Sequence, residues 1–122
     1  MKTIMIVEDN PKNLKLIKLI LESNGFSTIV AENGKKCLDL VETSRVDLIL
    51  MDIQMPELDG IECLKCIRGN EATRAIPVIA TTAFAMKGDK ERFLGLGFDG
   101  YISKPIRIEP FLEKINETLK IS

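Results

Sequence analysis

The sequence contains no histidine and no tryptophan, and its only tyrosine is Tyr101. Without imidazole it has no side chain that ordinarily titrates near neutral pH, lacks the commonest zinc ligand, and cannot itself carry a phosphohistidine. Cysteine is scarce, with three residues; an odd number argues against a disulfide framework and suits a reducing compartment. An excess of one charge is also missing, since 17 basic residues stand against 18 acidic ones for a net of -1. That balance leaves no overall electrostatic footprint for nucleic acid or an anionic membrane, so direct contact with either is not expected and any phosphate chemistry must be local. The apolar run after Met1 and Lys2 stops at Glu8 and Asp9, which is too short for a signal peptide or membrane span. A cytoplasmic protein is expected.

What is present fits one domain over residues 1–122, with 45% hydrophobic residues to build its core. Pro and Gly fall singly between periodic segments, as turns in a compact domain do. Residues 3–7, 46–51 and 76–81 are short apolar runs rich in β-branched side chains, the mark of strands buried on both faces of a parallel sheet. Residues 27–31 and 100–103 are weaker strand candidates. Between them the period turns helical. Leu16, Ile17, Ile20 and Leu21 share a face, as do Ile108, Phe111, Leu112, Ile115 and Leu119, while residues 37–41 and 93–96 fall in a second and a fourth helix. Asn10-Pro11 reads as an N-cap followed by the first helical residue, and Asp59-Gly-Ile-Glu62 as a capping box. Five strands alternating with five helices predict a doubly wound α/β sandwich with helices on both faces.

In such a sheet the strands all end on one edge, and ligands bind there. The first strand ends in Glu8 and Asp9, the third in Asp52, the fourth in Thr81 and Thr82, and the fifth in Lys104, with Pro105 behind it. Three carboxylates crowded together require either raised pKa values or a cation. All-oxygen ligands with open positions match magnesium, for which Asp9 and Asp52 are candidate direct ligands and Glu8 a ligand through water. With charge neutralised, the central Asp52 can act as a nucleophile toward a phosphoryl group, while Lys104 supplies a point charge and Thr82 a hydroxyl donor.

The set Glu8-Asp9, Asp52-Ile-Gln-Met-Pro, Thr82-Ala83 and Lys104-Pro105 resembles the response-regulator receiver family of two-component systems along the whole chain. Each pair alone is a weak signal, and together they are specific. The resemblance implies a flavodoxin-like sheet of order 2-1-3-4-5 and Asp52 as phosphoacceptor. It also implies magnesium bound by Glu8, Asp9, Asp52 and the main-chain carbonyl of Gln54, phosphoryl contact by Lys104, and a cis Lys104-Pro105 bond, which proline tolerates. The partners implied are a histidine kinase or histidine phosphotransfer protein as donor and a downstream protein as target. Residues 82–89 and 101–105 look most like stand-alone DivK-type regulators, and they also resemble receivers of hybrid kinases. Thr82 and Tyr101 are the expected switch pair, reshaping the face formed by the fourth helix, fifth strand and fifth helix. Leu14 and Ile106 are candidates for docking the donor. Gln54 and Phe84, two residues beyond Asp52 and Thr82, are expected to overhang the site.

Competing readings meet obstacles in the same residues. Glu8-Asp9-Asn10 would serve equally as a plain helix cap, but Asp52 interrupting an apolar strand weakens that account. A haloacid-dehalogenase type phosphatase would place a second Asp where Gln54 stands. A flavodoxin-like FMN site needs amide donors and small residues where Glu8-Asp9-Asn10-Pro11 stand. The intact acidic and lysine set speaks against a pseudo-receiver. Cys63-Leu-Lys-Cys66 matches C-x-x-C but falls inside a helix, where small apolar packing is the expected role.

Overall fold

The structure is a computed structural model that describes residues 1–55, 58–83 and 86–121. The elements alternate: β1 Thr3–Val7, α1 Pro11–Ser23, β2 Ser27–Ala31, α2 Gly34–Thr43, β3 Leu48–Asp52, α3 Gly60–Gly69, β4 Val78–Thr82, α4 Asp89–Leu96, β5 Gly100–Ser103 and α5 Ile108–Leu119. All strand pairs are parallel, and the sheet order is β2-β1-β3-β4-β5, as expected. The central strands β3 and β4 are buried at every position, consistent with apolar runs covered on both faces.

Two apolar layers flank the sheet. Met5, Val7, Ile49, Met51, Val78 and Ala80 point to one side, where α2, α3 and α4 supply Cys37, Val41, Cys63, Leu64, Ile67 and Phe93. Ile4, Ile6, Leu48, Leu50 and Ile79 point to the other, against Ile17, Ile20 and Leu21 of α1 and Phe111 and Ile115 of α5. The alternation along each strand follows from the two-residue period of the pleat.

Several boundaries differ from the sequence expectation. β4 begins at Val78 rather than at residue 76, because Pro77 has no N–H for the ladder; its carbonyl still accepts from the Ile49 N–H at 2.9 Å. β3 begins at Leu48 because Asp47 spends its carboxylate on the Thr3 N–H at 2.8 Å. Both strands run one residue further than expected, so Asp52 and Thr82 stand within the ladder, opposite Thr81 and Ser103. The helical stripes are narrower than the pattern implies. Leu16 is 40% and Ile108 55% exposed, since each sits at the rim of its stripe. Of the two cysteines in α3, Cys63 is buried and Cys66 is exposed, so the packing role holds for one of them. A hydrogen bond with Cys37, reinforced by burial, pushes the Cys63 thiol well above its ordinary range, which keeps it protonated and unreactive.

Helix starts explain how the chain turns at the sheet's rim. Asn10 caps α1 by accepting from the N–H groups of Lys12 and Asn13 at 2.9 and 3.2 Å. Asp59 caps α3 by accepting from the Glu62 N–H at 2.9 Å, whereas the Glu62 carboxylate pairs with Lys65 at 3.5 Å. Gly88 and Arg107, at the starts of α4 and α5, make no side-chain cap. Gly60 opens α3 directly beneath the phosphoacceptor candidate, and a Cβ there would lie 2.6 Å from the Asp52 carbonyl oxygen and 3.1 Å from Ile53 Cα. Both obstacles are backbone and cannot swing aside. Gly60→Ala should therefore lower stability by about 1–3 kcal/mol, the usual cost of overpacking; an unchanged urea midpoint would show that α3 can shift away freely.

Candidate functional site

The C-terminal edge of the sheet gathers side chains from four strands. Glu8 follows β1 directly and is 2% exposed, Asp52 ends β3 at 3%, and Thr82 ends β4 fully buried. Asp9 is exposed at the lip. One oxygen from each of Glu8, Asp9 and Asp52 lies within 4.8 Å of the others. Lys104 follows β5, and its cis bond to Pro105 forms part of the turn out of the sheet. Its main chain is held by a 2.7 Å bond from its own N–H to the Thr82 carbonyl. Its ammonium reaches back across the edge to Glu8 Oε1 at 2.7 Å and Asp52 Oδ2 at 3.5 Å.

Together Glu8, Asp9, Asn10, Asn13, Asp52, Gln54, Ala83 and Lys104 line a shallow cleft of about 180 Å³. Asn10 and Asn13, at the start of α1, are lining residues that the sequence pattern does not assign to the site. Asn10 carries two tasks, since its side chain caps α1 and its own N–H donates to Glu8 Oε2 at 3.3 Å. Both Glu8 oxygens are thus occupied.

Gln54 sits at the lip of this cleft. Its main-chain N–H donates to Asp52 Oδ1 at 3.1 Å, which fixes the backbone after β3 against the carboxylate. Its side-chain amide donates to Thr82 Oγ1 at 2.7 Å. Pro56 and Phe84 lie outside the described residues. Tyr101 stands opposite Ala80 in the ladder. It therefore shares the sheet face of Ala80 and Thr82 but lies two residues back. Its ring stacks on Phe93 of α4 with centroids 5.5 Å apart. Burial, followed by the charge of Asp89, raises the Tyr101 pKa above its ordinary value, so the phenol stays neutral. Leu14 and Ile106 are part-buried against the layer between the sheet, α1 and α5.

Charge dominates the site. Three carboxylates face one ammonium, and the imbalance falls on Asp52. Burial is the largest cause, and the hydrogen bond and charge of Glu8 add to it, while Lys104 and the Gln54 amide oppose; together they push the Asp52 pKa up to about 7. The donor set fits a hard divalent cation, because the clustered ligands are all oxygen atoms and the excess charge is negative.

A family model described as the response regulator receiver domain matches residues 4–116. The chain belongs to that family. The polar-differentiation response regulator DivK of Brucella anthropi is 51% identical over 118 residues, 97% of this chain and 96% of the relative, and DivK of Brucella ovis is 50% identical over the same span. Among solved structures, the receiver domain of a sensor histidine kinase from Pseudomonas aeruginosa, with a magnesium ion coordinated in its active-site cleft, is similar at a TM-score of 0.89 and 34% identity over 98% of both chains. A chemotaxis protein of Vibrio cholerae shares the fold at a TM-score of 0.89 and 23% identity, covering 97% of this chain and 98% of that one. This receiver is therefore a signalling protein of two-component systems, and the family implies a histidine kinase as phosphodonor. Among the described residues no helix is long and apolar enough to cross a membrane.

The raised Asp52 pKa has a consequence for stability. A carboxyl that holds its proton more tightly folded than unfolded adds stability below the unfolded value of 3.8, and loses it as pH rises through about 7. Without divalent cation, Asp52→Asn should be more stable than the parent at pH 8 by about 1–4 kcal/mol, and the gap should narrow toward pH 4. Urea unfolding in chelator at several pH values checks this, and a gap that does not narrow would mean that the carboxylate is not held at a cost.

Proposed function

We propose that the receiver accepts a phosphoryl group on Asp52 from a partner phosphohistidine and afterwards releases it by autohydrolysis. The modified face of α4, β5 and α5 then binds a downstream protein. The observation that carries this reading is the reach of Lys104 across the sheet edge to both Glu8 and Asp52, at 2.7 and 3.5 Å. A largely covered lysine aimed at the central carboxylate of an acidic cluster is of little use to folding alone, because ion pairs drawn out of water barely repay their desolvation. It is of use to an incoming anion.

In transfer, an Asp52 carboxylate oxygen bonds to phosphorus while the bond from phosphorus to the histidine nitrogen breaks, and the leaving imidazole keeps its electron pair. In release, water bonds to phosphorus, the bond to the Asp52 oxygen breaks, and inorganic phosphate departs. Lys104 offers its ammonium to the phosphoryl oxygens and Thr82 its hydroxyl. Magnesium would be held by Asp9, Asp52 and the Gln54 main-chain carbonyl. Glu8 would act through water, which suits its two occupied oxygens. Bound there, the cation offsets the carboxylate charge that would otherwise repel an anionic donor. Lys104 holds Glu8 and awaits the phosphoryl group, and Asp52 presents its carboxylate at the floor of the cleft.

The signal leaves through Thr82. A phosphoryl group adds acceptor oxygens and charge beside its hydroxyl, and Thr82 shares a sheet face with Tyr101, whose ring can repack against Phe93 when that face changes. Leu14 and Ile106 flank the donor's docking face. The relatives named DivK support placing this receiver among cytoplasmic regulators of the stand-alone type, with a histidine kinase or phosphotransfer protein upstream and a protein target downstream.

Intact mass measured after incubation with magnesium and acetyl phosphate tests the chemistry. The parent should gain one phosphoryl group, and chelation or Asp52→Asn should abolish the gain, because an amide is neither a comparable nucleophile nor a charged ligand; equal labelling of parent and variant would move the site elsewhere. The docking face has a separate test. Leu14→Glu or Ile106→Glu should slow transfer from a phosphohistidine protein by about tenfold or more, the effect of removing an interface anchor, while acetyl phosphate labelling stays near the parent rate. Parallel loss with both donors would instead indicate damage to the site.

A further inference from the structure

Gln54 does more in the structure than lend its backbone to the site. Its side chain crosses from the turn after β3 to the end of β4, where Nε2 donates to Thr82 Oγ1 at 2.7 Å. Gln54 is exposed, whereas Thr82 is fully buried. The amide therefore reaches inward from the lip of the cleft and grips the hydroxyl that the proposed switch must move. Threonine is β-branched and stiff about its first side-chain torsion, so its hydroxyl occupies discrete positions rather than drifting. A bond that holds one position opposes the others.

We propose that the Gln54 carboxamide is a latch on Thr82, a positioning residue that holds the hydroxyl in its resting place and so sets how far the unmodified receiver populates its switched surface. The inference rests on the reading that Asp52 takes the phosphoryl group and Thr82 answers it. The Gln54 main chain and side chain then have opposite effects. The N–H bonded to Asp52 Oδ1 at 3.1 Å keeps the acidic residue in position for modification, while the amide bonded to Thr82 delays the response. The two are joined through one residue, so a change in the loop after β3 is felt at both the phosphoacceptor and the hydroxyl. A neutral hydrogen bond shifts an equilibrium by about 2- to 10-fold, which is enough to tune a switch without locking it.

The test uses Gln54→Met, which keeps the length and removes the donor, alongside Thr82→Ala and the double variant. Beryllofluoride with magnesium stands in for the phosphoryl group, and amide chemical shifts around Tyr101 report the face. In the metal-loaded resting protein, Gln54→Met should move those shifts part-way toward the beryllofluoride-bound positions, and beryllofluoride should bind about 2- to 10-fold more tightly. In the Thr82→Ala background the same substitution should add nothing, because the latch then has nothing to hold. Resting shifts and beryllofluoride affinity identical to the parent's would overturn the latch. So would an effect of equal size in both backgrounds, which would mean that Gln54 acts on the cleft directly. Failure of the underlying reading looks different, since the parent itself would then gain no phosphoryl mass and show no shift on adding beryllofluoride.

Discussion

Like-charge crowding at the carboxyl edge of the sheet is the constraint around which the rest of the molecule is arranged. Parallel strands deliver Glu8, Asp9 and Asp52 to one rim, and two of the three are almost wholly buried. Such a cluster is unfavourable in isolation. Lys104 offsets part of it from the far side, 96 residues along the chain from Glu8, and the remainder leaves Asp52 reluctant to ionise. Both facts matter for function. An ionised, naked cluster would repel a phosphoryl donor, and a divalent cation would compete with the proton for Asp52, favouring the carboxylate while offsetting its charge. A divalent cation bound at that rim would relieve the repulsion, and folding and metal binding would then be linked through the same carboxylates.

The surrounding scaffold holds that edge in register. Gly60 permits α3 to start against the Asp52 carbonyl, and Asp59 caps the same turn. Asn10 ties the start of α1 to Glu8. At the opposite end of the sheet Arg68 donates to the carbonyls of Gly97 and Ile76 and pairs with Asp99 at 2.8 Å, and Asp99 in turn accepts from the Val78 N–H at 2.8 Å. This group pins the start of β4 to the turn before β5, so the two strands that carry Thr82 and Tyr101 are anchored to each other at the edge away from the site.

How much of this is legible in the sequence depends on the range of the interaction. Strand and helix order follow from local period and turn residues, and the acidic pair, Asp52, Thr82 and Lys104 are found by asking what stands at each strand end, a question the parallel topology makes answerable. Helix faces are legible only at their centres. Leu16 and Ile108 lie where a regular period does not decide between core and solvent, because neighbouring helices set how wide a stripe they cover. Asn10 and Asn13 read simply as cap and helix, and nothing local reveals that they also border the cleft. Arg68 and Asp99 carry no motif, and their pairing exists only once the fold brings the two loops together. The side-chain bond from Gln54 to Thr82 is of the same kind, linking positions 28 residues apart.

That last bond suggests why two receivers with the same acidic set and the same lysine need not behave alike. The groups proposed to hold cation and phosphoryl are placed by charge and by strand geometry, and a change there would remove the proposed chemistry. The position two residues beyond Asp52 meets that carboxylate through its main-chain N–H, which every residue but proline supplies. Its side chain is therefore available to adjust the switch, and in this chain it is a carboxamide long enough to span from β3 to β4 and able to donate. A side chain without a donor would leave the Thr82 hydroxyl to its other contacts, and an acidic one would add a fourth carboxylate to a rim already crowded with three. Glutamine is the neutral choice that adds a hydrogen bond and no charge. On the latch proposed above, that bond would bias the resting position of the Thr82 hydroxyl without altering the charge of the cleft.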